Sequence, residues 1–187
     1  MASLQITSMK DLEQAVQSVR AGADRTVRAL RDLLANERDS LQVLRLLKFS
    51  GSARQGSEDR SLNLIEQVNQ TLTSLVRLQA ARRVLSQHPQ LLLKGLRIHV
   101  GTPAGFDLES VESGLLAAEV FAANHPGRHD RLRKDIARLV EKAPDVAHRY
   151  VFFSCPGYAL GRQIQLETVS GLEIWSMPAD DWLSGTA

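Results

Sequence analysis

At 187 residues the chain has room for one good core, or for one domain with an appendage. Its 43% hydrophobic and 24% charged content are those of an ordinary soluble globular protein, and a net charge of +2 is too small to argue for nucleic acid by itself. A single cysteine, Cys155, excludes an internal disulfide and fits a reducing cytoplasm. No apolar run approaches the roughly 20 residues of a membrane helix, and the opening MASLQITSMKDLEQ lacks the pattern of a secretory leader.

Residues 8–47 carry apolar side chains at Met9, Leu12, Val16, Val19, Ala23, Val27, Leu30, Leu34, Leu41 and Leu44. Spacings of three and four predict an amphipathic helix. Ser8 followed by Asp11 resembles a capping box, and the cluster Asn36–Asp39 is placed to break the helix into a hairpin. So long a stripe cannot bury itself alone. It predicts a homodimer through the N-terminal helix, with a helix packed back onto the core as the alternative. Phe49–Arg60, FSGSARQGSEDR, is rich in Ser, Gly and charge and reads as a flexible linker. The expected organisation is therefore an N-terminal helical region (1–48), a linker (49–60) and an α/β domain (61–187).

Ser61–Gln87 predicts a second amphipathic helix, striped by Leu62, Ile65, Val68, Leu72, Leu75, Val76 and Leu78 and ended by His88-Pro89. No acid occurs from Gln67 through Phe106, a stretch holding Arg77, Arg82, Arg83, Lys94 and Arg97. Clustered Arg and Lys suit phosphate contacts; the alternative is pairing with acids elsewhere, such as Glu109 and Glu112.

Three short strands follow, Leu96–Val100, Gly105–Leu108 and Leu115–Ala123, with a turn at Glu109–Gly114. Asp107 and Glu119 are the acids inside these strands, and both have apolar neighbours. Burying an isolated carboxylate costs several kcal/mol or more unless something compensates it. A shared hard cation such as Mg²⁺ would compensate both. The alternative is that Asp107 starts the turn and Glu119 pairs with an arginine.

Arg128–Ala143 predicts a polar helix with a core face at Leu132, Ile136, Leu139 and Val140, and with Arg131, Arg133 and Lys134 among its many cations. His125 and His129 are four apart, but Pro126-Gly127 between them spoils helical zinc geometry. Arg149–Ser154, RYVFFS, predicts a buried strand. Cys155 at its end reads as structural. Gln163–Val169 and Gly171–Met177 predict a final hairpin around Ser170-Gly171, with Trp175 and Trp182 covering an edge or interface and a loosely held tail beyond Pro178. No phosphate-binding glycine loop, dinucleotide fingerprint, cysteine-rich metal spacing or serine-hydrolase elbow occurs.

The order of helix, three strands, helix and strand, with Asp107 and Glu119 on the second and third strands, resembles the PD-(D/E)XK, or restriction-endonuclease-like, nuclease superfamily. The resemblance covers roughly residues 61–155 and implies an α+β or α/β core preceded by the N-terminal helix or helical hairpin. It implies Mg²⁺, with Mn²⁺ as substitute, held by Asp107 and Glu119, and Glu66 on the first helix as a third ligand. The family places a lysine two residues past the glutamate; here that position is Phe121. Lys134 on the following helix is the expected substitute. On this reading Arg77, Arg82, Arg83, Arg131 and Arg133 grip nucleic acid, most simply DNA, and the metal activates a water for phosphodiester hydrolysis. The alternatives are a catalytically inactive protein of the same fold, and an interaction or assembly adaptor working through its N-terminal helix. No membrane partner is expected.

Overall fold

In the computed structural model, which describes residues 3–49, 53–54, 61–99, 105–124 and 129–178, the chain opens with a short strand, β1 (Ser3–Ile6). Helix α1 (Met9–Asn36) follows. Ser8 Oγ accepts the Asp11 N–H at 3.2 Å, and Asp11 returns a carboxylate oxygen to the Ser8 N–H at 2.8 Å, so the predicted capping box is present. The Asn36–Asp39 cluster does break the helix. Asp39 Oδ1 accepts the Gln42 N–H at 2.8 Å and so starts α2 (Ser40–Phe49). Most of the predicted linker lies outside the described residues. Within it, β2 (Ala53–Arg54) pairs antiparallel with β3 (Ser61–Leu62).

Asn63 and Glu66 form a second capping box at the start of α3 (Leu64–Gln87). A short helix, α4 (Leu91–Lys94), leads to Gly95 at φ +81, where an added Cβ would stand 3.0 Å from the Val111 side chain. Next come β4 (Leu96–His99), β5 (Leu108–Ser110) and β6 (Leu116–Ala122). They are followed by α5 (His129–Lys142), β7 (His148–Ser154), β8 (Gly161–Arg162), a 3₁₀ turn (Ile164–Leu166) and β9 (Leu172–Ser176).

The fold is α+β, with a seven-stranded, mostly antiparallel sheet in the order β1-β4-β5-β6-β7-β9-β8. β4, β5 and β6 form an antiparallel meander. β7 lies parallel to β6, and β9 parallel to β7. The parallel step needs a crossover, and α5 supplies it. Side chains alternate across β6 and β7 and so feed two cores. On one face, Leu12 and Val16 of α1 and Val76, Leu78 and Val84 of α3 share a buried cluster with Ile98, Leu108, Val120 and Phe152. On the other, Leu132 and Leu139 of α5 pack with Ala117, Phe121, Val151 and Phe153. No helix among the described residues is long and apolar enough to cross a membrane.

Several expectations change. The N-terminal region is not a separate helical unit: β1 is paired to β4, and Ile6, Leu12, Ala15 and Val16 are buried in the sheet's own core. The alternative, a helix packed back onto the core, holds for the first half of α1, because its stripe matches the free face of α3. β5 begins at Leu108 rather than Gly105, so Asp107 sits just ahead of its strand. The predicted final hairpin is also different. The Gln163 amide donates to the Ala159 and Gly161 carbonyls at 2.6 and 3.1 Å, which curls the chain into the 3₁₀ turn; β9 then pairs with β7 and β8. The segment beyond Pro178, with Trp182, and residues His125 to Arg128 lie outside the described residues.

Candidate functional site

β6 runs between β5 and β7, so a side chain pointing from its middle has no route to solvent except past a helix. Glu119 is such a residue and is 1% exposed. The antiparallel register Leu108↔Ala118 brings Asp107 opposite Glu119. Asp107 is 2% exposed. Its Oδ2 accepts the Val120 backbone N–H at 2.8 Å, and its Oδ1 accepts from Arg77 Nη2 of α3 at 2.5 Å. The two acids predicted from the sequence therefore do converge, and Arg77 is bound to one of them.

The opposing charges come from α5. Arg131, Asp135 and Arg138 recur at i, i+4 and i+7, which puts them on one helical stripe beside the apolar one. Arg138 Nη1 stands 2.8 Å from Glu119 Oε1, and its Nη2 donates to the Gly105 carbonyl at 2.5 Å. The Arg138–Glu119 approach is an ion pair without hydrogen-bond alignment, since Oε1 accepts no hydrogen bond among the described residues. Asp135, buried at 6% exposure, accepts from Arg131 Nε at 3.0 and 3.2 Å. Three carboxyl groups thus face three guanidinium groups across the sheet end of α3, β5, β6 and α5. Burial, and then the negative charge of Asp107, push the Glu119 carboxyl up to about 8 against the opposing pull of Arg138. Burial likewise raises Asp135, against Arg131.

This donor set does not fit a divalent cation as arranged. Mg²⁺ requires free oxygen ligands in near-octahedral array. Here each Asp107 oxygen already accepts a donor, Arg77 Nη2 or the Val120 N–H, and a guanidinium stands against Glu119 Oε1. A cation entering between Arg77 and Arg138 would meet like charge on both sides.

The other predicted ligand and the predicted cation lie elsewhere. Glu66 returns its carboxylate to the Asn63 N–H at 3.3 Å as the third residue of α3. It is eleven residues, about 16 Å of helix, from Arg77, too far to join the acids. Lys134 is exposed; on α5 it is Arg138 that stands against Glu119, while Arg131 pairs with Asp135. Phe121, on the same face as Glu119, is 7% exposed and stacks on Phe153 with ring centroids 5.6 Å apart. The Arg131 guanidinium lies 5.8 Å from the centre of its ring.

Of the arginines expected to grip phosphate, Arg77 is buried in its ion pair and Arg83 lies flat on Trp175, 3.5 Å from the ring. Arg131 is half exposed but held by Asp135. Arg82 is exposed, and Arg133 is exposed in a pair with Asp130. Sequence reading missed the roles of Asp135 and Arg138. Their signal was the i, i+4, i+7 charge stripe in a helix whose neighbouring stripe is apolar.

A second polar group lies on the other face of β7. The Tyr150 hydroxyl and a His88 ring nitrogen are hydrogen-bonded at 2.7 Å, and His88 stacks on His148 with centroids 3.9 Å apart. Burial pushes Tyr150 up to about 12, and burial and then His148 lower His88. The adjoining cavity, about 350 Å³, is lined by Tyr150, His148 and the ion-paired Arg162, Glu167 and Glu173.

Compared with protein-family models, curated proteins and solved structures, the chain matches none.

Proposed function

We infer that this chain is a nuclease-fold protein that binds nucleic acid without cutting it. The observation that carries the reading is the closure of Asp107 and Glu119 by Arg77 and Arg138, at the position where the restriction-endonuclease-like family binds its metal. The order α3, antiparallel β4-β5-β6, α5, and β7 parallel to β6 supports a core of that family's type. Phe121 in the lysine position supports the inactive form, because a phenyl ring brings neither charge nor a transferable proton. Binding rests on the outward face of α5, where Arg133, Lys134 and Lys142 are exposed. Such contacts hold phosphates through charge and so weaken as salt rises.

The test combines a cleavage assay and a binding assay on duplex DNA. Wild-type protein with Mg²⁺ or Mn²⁺ should leave DNA intact, and neither ion should raise the melting temperature. Fluorescence anisotropy at low salt should show binding that falls with salt, and Arg133→Ala with Lys134→Ala should lower the salt slope by about one per removed contact. Metal-dependent cleavage lost in Asp107→Asn would overturn the inactive reading, and absence of binding at low salt would overturn the nucleic-acid reading. A metal-dependent hydrolase is the second reading, favoured by the convergence of the two carboxylates. It requires Arg77 and Arg138 to leave them, and Arg131 or Arg138 to take the part expected of Lys134.

A further inference from the structure

The apolar stripe of residues 8–47 is only half used within the chain. Thr26 Oγ1 meets the Gln67 side chain at 3.1 Å, which fixes where α1 crosses the beginning of α3. From Thr26, α1 runs ten more residues to Asn36, about 15 Å, whereas α3 has only three residues, about 5 Å, left between Gln67 and its start at Leu64. The last turns of α1 therefore overhang α3. They leave Leu34 63% exposed. α2 turns back from that overhang and buries none of its residues, with Leu41 and Phe49 each 78% exposed and Leu44 61%. α3, against which α2 packs, also leaves Ile65, Val68 and Leu72 each about two-fifths exposed.

A ten-residue helix is marginal in water by itself, and most helical stability comes from a packed apolar face. Taking roughly 150–200 Å² for a large apolar side chain, these seven residues present on the order of 600–800 Å², larger than the patches an ordinary monomer leaves exposed and close to one partner's share of a standard interface. The exposed charges of the same segment have both signs: Arg38, Arg45 and Lys48, with Asp32 and Asp39. A one-signed surface would select an oppositely charged partner; a mixed one suits a second copy of itself. We propose that the α1–α2 hairpin and the exposed apolar residues of α3 form a two-fold interface with a second copy of this chain. The interface excludes the first half of α1, which belongs to the sheet's core, and does not depend on the reading of the acid–arginine site.

Light scattering on the full chain at micromolar concentration should give twice the monomer mass. Leu41→Glu with Leu44→Glu should give the monomer, with the far-ultraviolet circular dichroism of a folded protein. Because that double variant places charge on a helix, a second readout is needed. Leu41→Cys should cross-link to a covalent dimer under mild oxidation, while Leu93→Cys, at a residue 93% exposed on α4, should not. A monomeric wild type overturns the proposal, as does a dimer that survives the double substitution, or equal cross-linking at both cysteines.

Discussion

Two arginine–carboxylate pairings among the described residues, one buried and one exposed, show the same chemistry doing different work. At the sheet end of α3 and α5, Asp107 and Glu119 are 2% and 1% exposed; Asp107 is held by Arg77, while Glu119 stands against Arg138 with burial keeping its carboxyl protonated well above the usual carboxylate range. On the outer side of α5, Arg133 and Asp130 meet at 2.8 Å with more than three-quarters of each side chain in water. Distance does not separate the two classes; the solvent around them does. A buried pair gains a large attraction but must offset two desolvation costs, and breaking it leaves a charge stranded. An exposed pair gains little because water and salt screen it.

The sharpest test of this contrast is to remove one partner from each setting. Arg77→Ala should cost about 3–5 kcal/mol in urea unfolding, because it strands the Asp107 charge among apolar neighbours. Adding Asp107→Asn to it should return part of that loss. A cost under about 1 kcal/mol would mean that Asp107 reaches water and that the buried setting is misread.

The next effect is a pH dependence. Glu119 titrates near 8 in the folded protein against 4.5 for its ordinary value, so between those pH values the folded state holds a proton that the unfolded state has released. Its contribution is most favourable at and below about pH 4.5 and is lost as pH rises through 8, by roughly a few kcal/mol in all. Glu119→Gln should remove that fall and be the more stable protein above pH 8. If chemical denaturation shows the same pH profile for both proteins, Glu119 is ionised throughout and Arg138 dominates it.

The smallest effects belong to the exposed setting. Arg133→Ala should change stability by about 0.5 kcal/mol or less. Lys134→Ala should do the same, as expected of an exposed helix lysine. A loss from Lys134→Ala comparable with that from Arg77→Ala would place the lysine in the cluster after all.

Much of this arrangement was legible before folding. Ser8 with Asp11 marked the start of α1, the Asn36–Asp39 cluster marked its end, and the β-rich run from Arg149 to Ser154 marked β7, because caps, breakers and side-chain period are local physics. The pairing of Asp107 with Glu119 was also legible, since two acids with apolar neighbours on consecutive strands have few ways to be compensated. What compensates them was not. Arg77 lies 30 residues before Asp107, and Arg138 lies 19 after Glu119 on a helix whose rotation about its axis only packing fixes. Lys134 and Arg138 are one turn apart in sequence, and the choice between them depended on how Leu132 and Leu139 seat α5 on Phe121, Val151 and Phe153.

The sequence by itself determined that this chain is an α+β protein with a long N-terminal amphipathic helix, two acids within its strand region and no long apolar span. The tertiary structure decided that β1 and the first half of α1 complete the sheet's own core, and that the end of α1 with α2 is left over. It also decided that guanidinium groups stand against both acids. The reason is common to all three: helix period and strand alternation state which face of an element is apolar, but only the lengths and crossing of α1 and α3, and the register of β5 on β6, state what that face meets.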